Sequence, residues 1–180
     1  MSRQGVLLLS LLFLVAAAAQ AQIPTAGNIF FGYSYAHAGI VADDGVNTNG
    51  WNASLEGKLL PWVGIVADFA GHYGSQRVPN IPSLSADGHI NTFLFGPRVS
   101  VSVKKFRPFA EALFGAGHTS ASTSGFSNSD TSFATALGGG IDYRLMRIVA
   151  WRGELDFLQT RFYGSTQNDV RFSTGIVINF

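Results

Sequence analysis

Polar and hydrophobic residues alternate one by one in successive short stretches of this chain. The last stretch, VRFSTGIVINF, puts Phe180, Ile178, Ile176, Thr174, Phe172 and Val170 on one face and Asn179, Val177, Gly175, Ser173 and Arg171 on the other. A period of two marks an extended strand lying between two unlike environments. The same alternation predicts strands over 28–37, 51–60, 63–73, 89–101, 106 to about 118 and 133–143. A seventh sets Trp151, Leu155 and Phe157 against Arg152, Glu154 and Asp156. Pro97 falls inside the fourth and predicts a local bulge, because proline withholds a ladder donor.

The connections alternate in length. Polar, glycine-containing stretches at 38–49, 74–88 and 119–131, and a shorter one at 164–168, read as loops by their turn chemistry. Between them, Pro61-Trp62, 102–105 and 144–147 read as tight turns. An even number of roughly ten-residue strands, with long loops at one end and short turns at the other, is the pattern of a bacterial outer-membrane barrel. The expected fold is all-β: an eight-stranded antiparallel up-and-down transmembrane β-barrel. A barrel of that size is filled by its own side chains, so no open channel is expected.

Composition sharpens this picture. Charged residues make up 13% of the chain and hydrophobic ones 47%, against about 25% charged in an ordinary soluble domain. After the N-terminal segment, no apolar run is long enough for a membrane helix. That segment, with Arg3, the apolar run Val6–Ala19 and Ala19-Gln20-Ala21, reads as an export signal cleaved after Ala21. The expected division is therefore a signal peptide over 1–21 and a barrel domain over 22–180. No cysteine is present, so neither disulfides nor a lipidated N-terminus is expected. Without Arg3 the twelve basic residues become eleven, equal to the eleven acids. That balance gives no sign of a nucleic-acid partner.

Ser173, Gly175, Ile178 and Phe180 are spaced as a polar residue, a glycine and alternating hydrophobics ending in phenylalanine. The spacing resembles the C-terminal assembly signal of bacterial outer-membrane β-barrels. The layout from Asn28 to Phe180 is similar to the small outer-membrane barrels of the outer-membrane protein A and X type, without the peptidoglycan-binding domain of longer members. The resemblance implies residence in the bacterial outer membrane, with outer-membrane lipid and the barrel-assembly machinery as partners. It also implies an extracellular ligand, of unknown identity, met through loops 38–49, 74–88, 119–131 and 164–168.

The strand faces opposite the apolar ones gather Glu56, Lys58, Asp68, Arg98, Glu111, Asp142, Arg152, Glu154, Asp156 and Arg171. Inside a narrow tube these charges must neutralise one another, since an unpaired buried ion costs several kcal/mol. They are expected to form a structural plug, with a switchable gate as the sharper alternative. Inward glycines at 32, 64, 96, 115, 117, 138 and 140 are expected to make room for long side chains opposite them.

Little in the sequence points to catalysis or a cofactor. His37, His72, His89 and His118 all fall near the predicted external strand ends, and His72 and His89 flank one loop beside Asp87. Their spacing defines no metal site. His118-Thr119-Ser120 has the His-x-Ser spacing of a lipid A deacylase, but only Asp130 follows nearby as an orienting acid. The reading is a non-enzymatic outer-membrane barrel with a structural, envelope-stabilising or surface-interaction role. The alternatives are a narrow gated pore or an exported soluble barrel whose apolar face turns inward around a ligand.

Overall fold

The computed structural model describes residues 26–38, 46–77, 85–123, 126–161 and 167–180. The expected export signal and the centres of the four external connections lie outside these residues. The described chain forms β1 (Gly27–Ala38), β2 (Val46–Leu60), β3 (Val63–Arg77), β4 (Ser85–Ser100), β5 (Phe106–Thr123), β6 (Phe126–Arg144), β7 (Val149–Thr160) and β8 (Gln167–Asn179). Each strand pairs antiparallel with the next, and β8 returns to β1, so the sheet closes on itself. At the seam Asn28 stands opposite Asn179. Just outside it, Gly27 N–H donates to Phe180 O at 3.0 Å and Phe180 N–H to Gly27 O at 3.1 Å. Closure matters because lipid offers no partner to an unpaired backbone edge.

The strands reach further outward than the alternation predicts. β2 begins at Val46, inside the expected loop 38–49. β3 runs to Arg77 and β4 starts at Ser85, both inside 74–88. The correction is largest at 119–131, where β5 and β6 stay paired from Thr119↔Asp130 up to Thr123↔Phe126. β8 likewise begins at Gln167, inside 164–168. A hydrophobic alternation needs lipid on one side, whereas a hydrogen-bond ladder does not. Beyond Ala116 and Phe133 the outward positions become His118, Ser120, Ser129 and Thr131, and the pattern lapses while the pairing continues.

Pro97 causes no bulge. Phe95↔Phe114 and Arg98↔Glu111 keep one register on either side of it, and the ladder to β5 drops only Gly96 and Pro97. Dropping bonds on one side accommodates the missing donor without an extra residue. The register shift lies instead in β2, between Lys58 and Leu60, beside the Pro61-Trp62 turn.

The faces are inside out relative to a soluble barrel. Leu137 is 67% exposed on the outer wall while Arg171 is 0% exposed in the lumen. This overturns the soluble ligand-binding alternative, which needs the apolar face inside. The outer wall carries Phe31, Leu55, Phe69, Phe93, Phe95, Leu155, Phe172 and Ile176, all exposed. Aromatic rings sit near both ends: Trp62 and the tilted pair Phe106–Tyr143 at the short-turn end, Trp51 and the edge-on pair Tyr73–His89 at the other. This is the arrangement of interfacial girdles. The lumen has small apolar patches of its own, Val66, Leu94, Leu113, Ala134, Ala136 and Leu158 on one wall and Phe30, Ala150 and Val177 near the short-turn mouth.

Candidate functional site in the barrel lumen

Register places the charges. Reading across the sheet, Arg98 on β4 stands opposite Glu111 on β5, Glu111 opposite Gly138 on β6, Gly138 opposite Asp156 on β7, and Asp156 opposite Arg171 on β8. This row has an arginine at each end and two acids between them, separated by a glycine where a third side chain would crowd both. A Cβ on Gly138 would sit 1.9 Å from Asp156 Oδ1. Gly64 plays the same part for Glu56, whose Oε1 lies 2.5 Å from where a Cβ would be. Gly96 and Gly115 differ from expectation: added side chains there would strike the backbones of Ala112 and of Phe93 and Leu94, so those glycines relieve strand crowding.

All ten charged residues singled out in the sequence point inward and join one network. Arg98 donates from Nε to Glu111 at 2.6 Å and from Nη2 to Glu154 at 3.2 Å, and lies 3.6 Å from Glu56. Arg152 grips both oxygens of Asp142, at 2.6 and 3.0 Å, and approaches Glu154 at 3.7 Å. Arg171 holds Asp68 at 2.8 Å on the opposite wall and Asp156 at 2.8 Å, with Glu154 at 4.0 Å. Lys58 completes the set through Glu56 at 2.5 Å. Glu154 is thus shared by three arginines, and the Arg171–Asp68 pair ties β8 to β3 across the tube.

Four further residues belong to this assembly. Asn28 donates to Glu56 at 2.6 Å and accepts from Arg152 at 3.4 Å. Arg107 reaches in from the mouth to Glu56 at 3.4 Å and Ser100 at 3.2 Å. Phe109 lies under both Arg98 and Arg152, with ring centroids 4.2 and 4.7 Å from the guanidinium carbons, and Phe30 lies 5.1 Å from that of Arg152. The flat, weakly hydrated guanidinium suits this aromatic cover. Asn28 and Phe30 are in phase with Gly32 and Ser34 on the inner face of β1, a signal available in the alternation. That a large aromatic belongs inside is not, because Phe is also the commonest outer residue.

One carboxylate oxygen from each of Glu111, Glu154 and Asp156 lies within 4.8 Å of the others. Arg98 and Arg171 reach the same carboxylates and bring the positive charge a cation would otherwise supply. The histidines do not converge. His72 is buried in the lumen with Nε2 2.9 Å from Ser34 Oγ, whereas its neighbour across the loop, His89, packs outside on Tyr73. His118 Nδ1 lies 2.8 Å from Thr131 Oγ1, while Asp130 stands opposite the buried Thr119. The imidazole of the His-x-Ser pair is thus hydrogen-bonded to a threonine.

Of the C-terminal signal residues, Ser173 is buried and shares a 3.1 Å hydrogen bond with Ser34, while Ile178 and Phe180 face outward. Gly175 meets the backbones of Phe31 and Gly32 so closely that a Cβ would lie 2.3 and 2.4 Å from them.

A closed antiparallel barrel with a charged, ion-paired lumen and an apolar outer wall bounded by aromatic girdles is an integral outer-membrane barrel. The sequence agrees: residues 6–180 match the family described as outer membrane protein beta-barrel domain, and the chain belongs to that family. Its backbone is similar to Neisserial surface protein A, at 12% identity and a TM-score of 0.69, covering 86% of this chain and 99% of that one. It is also similar to Ail, the attachment invasion locus protein of Yersinia pestis, at 17% identity and a TM-score of 0.63, covering 86% and 98%. The N-terminal β-barrel domain of Pseudomonas aeruginosa OprF aligns at 12% identity and a TM-score of 0.56, covering 86% and 99%. These likenesses carry the fold. No curated protein matches the chain in sequence.

Proposed function

We propose that this protein is a closed structural barrel of the outer membrane that supports the envelope and offers its external loops as an interaction surface, with neither an open channel nor a catalytic site. The observation that carries this reading is the lumen network: Arg98, Arg152 and Arg171 are each at most 1% exposed, and the Arg98–Glu154 and Arg171–Asp68 pairs cross the tube. Recording from the purified protein in planar bilayers tests it. No current steps are expected for the native chain, and stable steps would sink the closed reading. A gate, the rival, would show itself if Arg152→Gln opened a conductance while the native protein stayed silent.

On this reading the interaction role belongs to the loops within 38–49, 74–88, 119–131 and 164–168, and Phe180 is read by the barrel-assembly machinery. Deleting Phe180 is expected to slow insertion in cells; unchanged assembly would remove the targeting role. The same reading takes the chain as non-enzymatic, supported by the hydrogen bond that ties His118 to Thr131, and Ser120→Ala is expected to leave lipid A acylation as it was.

A further inference from the structure

The short-turn end concentrates positive charge, of which the lumen network uses only Arg107. Lys104 and Lys105 form the turn between β4 and β5, Arg107 follows on β5, and Arg144 and Arg147 bracket the turn between β6 and β7. The two turns are joined, since Arg144 N–H donates to Lys105 O at 2.8 Å. Together they line a pocket of about 160 Å³ whose lining includes Lys105, Phe106, Arg107, Arg144, Arg147 and Asp142. Asp142, the pocket's acid, is already held by two hydrogen bonds from Arg152. Arg107 is engaged by Glu56 at 3.4 Å, so the pocket presents three cations, Lys105, Arg144 and Arg147, with no free carboxylate in its lining to answer them.

Two features say what fills it. Lys104 has a φ of 56°, the left-handed conformation that hairpin turns normally give to glycine or asparagine. Val103 and Phe106 clamp this turn with reciprocal bonds of 2.7 and 2.9 Å. Lys104 itself lies outside the pocket lining, but the turn it closes carries Lys105 into that lining and holds a second positive charge beside it. Second, the pocket opens beside apolar surface: Phe106 stacks on Tyr143 on the outer wall, and Leu145, Met146 and Ile148 are exposed in the adjoining turn. A soluble anion gains nothing from that flank, whereas a lipid places its phosphate in the pocket and its chains along it.

The geometry points to a binding site for the phosphodiester headgroup of an anionic phospholipid in the periplasmic leaflet, since short turns face the periplasm. Basic pockets at a membrane boundary select such headgroups, and the attraction weakens as salt screens it.

The test uses the full chain folded in detergent and examined by native mass spectrometry with equal phosphatidylglycerol and phosphatidylcholine. Retained phosphatidylglycerol is expected to exceed phosphatidylcholine at least threefold at low ionic strength, falling toward parity in high salt. The triple variant Lys105→Gln, Arg144→Gln, Arg147→Gln should abolish the preference, while Arg161→Gln at the opposite end should keep it. Lys104→Asn alone should keep the preference and raise the unfolding midpoint, because asparagine tolerates the left-handed turn. Heat-modifiable gel migration establishes that each variant is folded. Parity in the native protein, a preference that survives the triple variant, or full displacement by millimolar inorganic phosphate would each overturn the assignment.

Discussion

Along β7, Trp151, Leu155 and Phe157 face lipid while Arg152, Glu154 and Asp156 face the lumen, and neighbours in sequence obey opposite rules. An outer residue meets a fluid that shapes itself to any apolar side chain. An inner residue meets particular atoms at fixed distances, so its identity depends on a partner far away in the chain, as Arg171 depends on Asp68. Specificity in this molecule therefore lies inside, and tolerance outside.

The contrast is broken most severely by removing an inner partner. Arg171→Met strands the carboxylates of Asp68 and Asp156 and is expected to cost about 3–5 kcal/mol in urea unfolding from vesicles. A loss below about 1 kcal/mol would refute the network as a source of stability. Next comes an outer position given an inner residue: Leu155→Arg on the lipid face is expected to cost about 2–4 kcal/mol if it sits near the bilayer centre. The glycines sharpen the comparison further. Gly138→Ala drives a methyl into Asp156 and is expected to cost about 1–3 kcal/mol. Gly153→Ala on the outer wall meets only the Trp151 ring, at 3.4 Å, and should stay within about 0.5 kcal/mol. Smallest is Leu137→Ile, which lipid absorbs within about 0.5 kcal/mol by the same measurement; a cost matching Gly138→Ala would show that the outer wall is packed, not solvated.

These rules also explain what the sequence revealed. Strand number and facing were legible because lipid imposes a strict period of two on residues such as Phe93, Phe95 and Val99. The external ends of β5 and β6, beyond His118 and before Phe133, were not, because Ser120 and Ser129 stand where that constraint ends. The inward charges were legible as a set, from their phase alone. Their partners were not, since the meeting of Arg98 with Glu154 depends on stagger around a closed sheet, a property of no single strand. Lys104 was missed as a strained residue because nothing in its neighbours announces a left-handed backbone.

The seam has a consequence in time. Asn28 and Asn179 pair across nearly the whole described chain, so the contact that closes the sheet has the greatest sequence separation of any in the barrel. Until it forms, two edges remain open, and contacts so distant in sequence form slowly. The barrel thus gains its full protection from lipid in a single late step, and any factor that holds β1 and β8 together governs how long the incomplete sheet survives.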